Sequence, residues 1–146
     1  MSLLRHEHAA GSLQDYIEGL LGAYQLLDCF QQTKNFSATI GISGSRPLHI
    51  ERRSGKIIIG QYARATGEVL LLPDPEMTFE VDERGHWYPQ DAFFGNGIWV
   101  NCTDGSWLSN LRERRYLWTL ADRWTQALVK QNFERGEVAE LWGENE

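Results

Sequence analysis

Cysteine is scarce: Cys29 and Cys102 are the only two in 146 residues, and neither has a second Cys or a His at ligand spacing. That excludes a disulfide-built secreted scaffold and the paired-cysteine zinc motifs, and it leaves buried free thiols as the expectation. Histidine is also thin, at positions 6, 8, 49 and 86, with no pair at metal-binding spacing on a regular element. No apolar run approaches the roughly 18 residues that cross a bilayer, and the N-terminus lacks the basic-then-apolar layout of a signal peptide. A cytoplasmic protein without membrane contact is expected, so the sequons at Asn35 and Asn101 are discounted. Positive charge is in deficit, 14 Lys and Arg against 20 Asp and Glu, for a net charge of -6. Non-specific nucleic-acid binding depends on Lys and Arg displacing counterions and is therefore disfavoured.

What is present argues for one folded domain. The chain is 42% hydrophobic and 12% aromatic, with six Trp, and a domain of this length buries roughly two-thirds of its unfolded surface. Residues 1–11 read as a leader, disordered or added to the natural chain, and residues 12–133 as the domain. Residues 134–146 read as an acidic tail with five Glu against one Arg, in which Trp142 either tucks onto the domain or anchors a partner.

The first organised segment, SLQDYIEGLLGAYQLLDCF, carries Leu13, Tyr16, Ile17, Leu20, Tyr24 and Leu27 at intervals of three and four. This spacing predicts one helix with a single apolar stripe, capped by Ser12 and with Asp15 in its first turn. The period then drops to two: Phe36, Ala38, Ile40 and Ile42 alternate with small or polar residues, as in a half-buried strand. Three β-rich runs between residues 47 and 75 are separated by Ser54-Gly55 and Thr66-Gly67, which are hairpin turns. MTFEV and HWYP continue the meander across Asp82-Glu83-Arg84-Gly85, and GIWVNC adds a further strand. The chain returns to helical spacing at Leu117, Leu120, Ala121, Trp124 and Leu128, with Asn110 and Glu113 as a capping box. Arg112, Arg114, Arg115, Arg123 and Lys130 form its solvated face. The fold class is therefore α+β: a twisted antiparallel meander of about five to seven strands, packed against a C-terminal and an N-terminal helix.

Chemistry is harder to find. Asp74 and Glu76 could hold a divalent cation, with His86 as a proton shuttle. The plainer account makes Pro73 and Pro75 the end of a strand and Asp74 its turn, and sets Glu80 and Asp82 outward opposite an inward Phe79 and Val81. GISGS at 41–45 fails as a nucleophile elbow because Ser45 replaces the final Gly, and no phosphate-loop Lys follows it. No cofactor is implied.

A resemblance rests on Pro47, Leu48, Ile50 and Glu51; on Asp74, Pro75, Glu76, Met77 and Phe79; on Trp87 and Pro89; and on Ala121, Trp124, Gln131 and Phe133. This pattern, over residues 46–133, resembles an uncharacterised family of small proteins encoded on plasmids and integrative conjugative elements. Asn132 stands where that family usually has Gly, and Asn also tolerates a left-handed helix cap. The resemblance implies an accessory role on a mobile element and assigns no activity.

Three functional classes follow. The favoured one is a non-enzymatic module that binds another protein through an acidic surface and exposed aromatics at Trp87, Trp99, Trp107 and Trp142. The second is a nucleic-acid role, either by mimicry of DNA charge or through residues 46–64, which hold five basic and one acidic residue; residues 74–91 hold six acidic and one basic. The third is a small metal-dependent hydrolase built on Asp74, Glu76 and His86, which needs a cleft joining all three.

Overall fold

The computed structural model describes residues 11–64, 71–94, 99–101 and 111–144. The N-terminal stripe forms helix α1 (Gly11–Ala23), and a second short helix α2 (Leu27–Gln32) follows a break. The expected single helix is interrupted because Gln25 adopts a positive φ of 61°, where the right-handed ladder cannot continue. Ser12 lies inside α1 rather than capping it, and its hydroxyl donates to the carboxylate of Asp122.

Strands β1 (Asn35–Gly41), β2 (Leu48–Arg53), β3 (Lys56–Arg64), β4 (Leu71–Val81), β5 (Trp87–Phe93) and β6 (Trp99–Asn101) form an antiparallel meander. Helix α3 (Leu111–Gln131) and a 3-10 turn (Phe133–Arg135) then lead to β7 (Glu137–Glu144), which pairs with β1, so the order is β6-β5-β4-β3-β2-β1-β7. The expected acidic tail is thus largely an edge strand. Its entry needs Gly136, because a Cβ there would overlap the Gly41 carbonyl oxygen.

The length of α3 explains the return. Six strand spacings put the two edges roughly 29 Å apart, and the 21 residues of α3 rise about 31 Å. One helix therefore carries the chain from the β6 edge to the β7 edge.

Turn chemistry matches the sequence where it is described. Ser54 and Gly55 both take positive φ, 51° and 83°, as a two-residue primed hairpin turn requires. The Thr66-Gly67 turn and Asn110 of the capping box lie outside the described residues, while Glu113 sits in the first turn of α3. The prolines do not end β4, contrary to expectation. Asp74 and Pro75 face Gln61 where the β3–β4 register shifts, and the ladder to β5 begins only at Glu76, so Pro73 and Pro75 precede the stretch of β4 that has two neighbours. Pro89 likewise lies at a register shift. Missing N–H groups are tolerated at such places.

All the described helices lie on one face of the sheet. Phe36, Ala38, Ile40, Leu48, Ile50, Ile57, Ile59, Met77 and Phe79 are buried beneath them together with Leu13, Ile17, Leu117, Ala121 and Leu128. Inside runs an aromatic chain: Phe36 meets Phe30 edge-on at 5.3 Å, Phe30 lies 6.0 Å from Trp87, and Trp87 lies 5.6 Å from Phe79. Each such pair adds about 0.5–1.5 kcal/mol beyond its burial. Cys29 is an exposed free thiol on α2 rather than a buried one, and Cys102 lies outside the described residues.

Two buried glutamines tie helices to strands. The Gln14 amide accepts from Trp87 N–H at 2.9 Å and donates to the Gly85 carbonyl at 2.7 Å, which fastens α1 to the β4–β5 hairpin. The Gln61 side chain accepts from Trp124 Nε1 at 3.0 Å and donates to the Gln131 side chain at 2.8 Å and the Arg46 carbonyl at 3.1 Å. Asn132 closes α3 in the left-handed region, φ 60°, as the sequence indicated, and Phe133 beyond it is buried, with its carbonyl held by the Tyr24 hydroxyl at 2.6 Å.

Trp124→Ala removes a large buried side chain and strands the acceptor of Gln61, so a loss of about 3–5 kcal/mol is expected in the urea midpoint. An unchanged midpoint would show that α3 is not held by this contact. Asn132→Gly should leave stability within about 0.5 kcal/mol of the natural chain or raise it, whereas Asn132→Val should cost at least ~1 kcal/mol, because a β-branched residue disfavours positive φ. Equal stability of the two variants in the same titration would argue against a left-handed cap.

Candidate functional site

The opposite face of the sheet carries no described helix. Directly paired residues point to the same side, so the registers define rows across this face: Glu140, Thr39, His49, Gly60, Glu76, Phe93 and Trp99 in one, and Trp142, Ser37, Glu51, Ile58, Thr78 and Asp91 in the next.

The centre of the face is organised by Tyr62. A Cβ built on Gly60 would lie 2.7 Å from the Tyr62 hydroxyl, so the phenol ring folds back over the glycine and fills its missing side-chain space. The hydroxyl donates to Glu76 Oε1 at 2.8 Å, and the ring lies 6.0 Å from the His49 ring. Burial, reinforced by the Glu76 carboxylate, raises the phenol well above its ordinary pKa, so Tyr62 stays a neutral donor. His49 has both ring nitrogens engaged, Nδ1 with Thr39 Oγ1 at 3.2 Å and Nε2 with Glu51 Oε1 at 3.0 Å. The other oxygen of Glu51 pairs with Arg53 at 2.5 Å. These groups hold one another in place, and the result is a fixed polar platform.

The expected site residues separate. Asp74 pairs with Arg46 at 2.6 Å, both half-exposed, where such a pair is worth under about 1 kcal/mol. Glu76 accepts from Tyr62. His86 lies at the far end of β4, about eight residues of extended chain, roughly 26 Å, from Asp74. It belongs to the Asp82–His86 turn, where Asp82 Oδ1 accepts from the Arg84 and His86 amides, each at 2.9 Å, and Oδ2 from the Tyr88 hydroxyl at 3.2 Å. No cleft joins the three. Among the described residues, no group of three or more His, Cys, Asp or Glu is placed to hold a metal ion.

The tryptophans also divide. Trp87, expected at the surface, is 0% exposed in the aromatic core. Trp99 and Trp142 are 57% and 51% exposed, at opposite edges of the uncovered face, with half-exposed Phe93 beside Trp99. Trp107 lies outside the described residues. The basic run 46–64 does not form one free face: Arg46 and Arg53 are paired with Asp74 and Glu51, and Arg52 turns to the helix side, 5.0 Å over the Phe30 ring. No described helix is long and apolar enough to cross a membrane.

A family model described as a domain of unknown function (DUF6908) matches residues 23–134, more than three-quarters of the chain. The chain belongs to this family. The matched span of the DUF6908 domain runs from the end of α1 through the meander and α3 to the turn that holds Phe133, and β7 lies beyond it. No curated protein and no solved structure is found to match.

Sequence reasoning missed Tyr62, Glu51 and Gln61 as organisers of the DUF6908 domain. The available signal was Gly60 two residues before an aromatic in an otherwise apolar strand, which marks a glycine covered by a neighbouring ring.

The Asp82 turn makes a pH prediction. The His86 amide, chiefly, holds the Asp82 carboxyl below its ordinary pKa. Its contribution to stability is therefore complete above about pH 4 and is lost as pH falls through the depressed value. In a titration from about pH 5 to about pH 2, the Arg84 and His86 amide resonances should move together, and Asp82→Asn should abolish that acid-range movement. Amides that stay still in the natural chain would show that the carboxylate does not hold this turn.

Proposed function

We propose that the domain is a non-enzymatic interaction module that docks another protein on the uncovered face of its sheet. The observation that carries this reading is the pair of half-exposed tryptophans, Trp99 and Trp142, set at the two ends of a face that no described helix covers. Buried aromatics anchor protein interfaces, and a large aromatic left in water at a domain's edge loses burial free energy that a partner restores. The scale also fits. A standard interface takes about 800 Å² from each partner, a patch about 28 Å across, which is close to the roughly 29 Å between the outer strands. Between the anchors, the bonded set of Thr39, His49, Glu51, Tyr62 and Glu76 offers a rigid surface that loses little side-chain entropy on docking.

The nucleic-acid reading has less support, because Arg46, Arg52 and Arg53 are each engaged within the protein. The setting we infer, an accessory factor of a bacterial mobile element, rests on the motif resemblance at residues 46–133 alone.

The test is to replace Trp99 and Trp142 together by Ala. Both are surface side chains, so the unfolding free energy should stay within about 1 kcal/mol of the natural chain. A partner captured from the host, identified by cross-linking and then purified, should bind the double variant at least tenfold more weakly, about 1.4 kcal/mol by calorimetry. Unchanged affinity would place the docking surface elsewhere.

A further inference from the structure

We infer that the outer edge of β7 is a strand-docking site, and that its occupant is an extended segment of a partner protein in which basic and apolar residues alternate. This inference rests on the interaction reading above and names the mode and chemistry of the partner.

The sheet has two edges, and they differ. Among the described residues β6 spans three positions, and a short edge offers little to pair with. β7 has eight residues, and among the described residues it pairs, from Asn35↔Glu144 to Gly41↔Glu137, with β1 alone. In an antiparallel strand, alternate residues turn their N–H and C=O groups outward, so this edge presents a row of donors and acceptors to a further strand. Edges are usually blunted by Pro, by charged side chains or by bulges; residues 137–144 contain no Pro, Lys or Arg, and their only charges are Glu, which repel an acidic strand and admit a basic one. One irregularity, between Thr39 and Ile40 of β1, leaves Ala139 as an extra residue, and the run from Glu140 to Glu144 keeps regular register.

That run is apolar on both faces at once. Leu141 lies opposite Ala38 on the helix side, and Trp142 opposite Ser37 on the other, 53% and 51% exposed. A strand added alongside would bring side chains next to both, and one-sided docking on the open face would leave Leu141 in water. Charge then selects the occupant. The sequence of β7 holds Glu137, Glu140 and Glu144, Glu134 stands just before it, and the whole chain carries -6. Lys or Arg on an incoming strand would face the carboxylates of Glu137 and Glu140, whereas a second copy would bring the same acidic strand against them.

The probe is a capped octapeptide of alternating Lys and Leu, compared with the same peptide N-methylated at its two central, adjacent amides. Those methyl groups block one strand edge each and leave charge and composition unchanged. On the full chain, the unmodified peptide should slow hydrogen exchange at amides within 137–144 and shift Trp142 fluorescence, and the methylated peptide should bind at least tenfold more weakly. Equal binding of the two would overturn the inference, since charge alone would then account for it. Concentration-dependent dimerisation without peptide, with the same amides protected, would overturn it in favour of a second copy. If neither peptide binds while the captured partner still depends on Trp99 and Trp142, the strand inference fails and the broader reading stands. A partner indifferent to both tryptophans would remove the broader reading as well.

Discussion

The contact on which the architecture turns is the buried side chain of Gln61, held between the sheet and α3. An amide in an apolar interior costs about 1–3 kcal/mol if left without partners. Gln61 has three, from the Trp124 indole, the Gln131 amide and the Arg46 carbonyl. Apolar packing alone would let a helix slide on a sheet of Ile, Leu and Phe at little cost, because hydrophobic burial is not directional. The Gln61 set admits one placement of α3. With that placement fixed, the end of the helix falls beside β1, Asn132 turns the chain, and β7 can only join the free edge there.

The sheet is consequently one-sided, and its two faces obey different rules. On the helix side, Trp87, Phe79, Phe30 and Phe36 fill space, and Arg52, within reach of the Glu18 charge, lies over an aromatic ring with its pKa lowered by burial. On the other side, the central polar groups hold one another, Tyr62 to Glu76 and His49 to Thr39 between strands and His49 to Glu51 within β2, and Tyr62 closes the gap at Gly60. Such a face keeps its geometry without a second layer among the described residues, and its most exposed aromatics lie at the two edges. This division is why the interaction reading turns on Trp99, Leu141 and Trp142 and not on the central carboxylates.

Much of this was legible in the chain. Period-two alternation at Phe36, Ala38 and Ile40, the Ser54-Gly55 turn, the stripe from Leu117 to Leu128 and the Asn132 cap are local signals, each decided by residues within a turn or two of one another. The α+β class and the meander follow from them directly. The signals that misled were also local. Prolines at 73 and 75 read as stops because nothing within a few residues reveals that, among the described residues, β4 pairs there with β3 alone. Trp87 read as a surface anchor because an aromatic near a turn looks the same in sequence whether or not two helices later cover it.

The amino-acid sequence by itself determined the strands, the turns, the long helix and which residue types would form a core, because those depend on backbone preference and on hydrophobic periodicity along a single segment. Only the tertiary structure decided which face of the sheet stays open, that Asp74 and His86 lie far apart, that Tyr62 rather than either of them organises the uncovered face, and that the acidic end of the chain is a strand. Each of these depends on pairing between segments far apart in sequence. A strand such as β7, with weak periodicity and five Glu in the last thirteen residues, has no reason to be ordered until β1 offers it an edge.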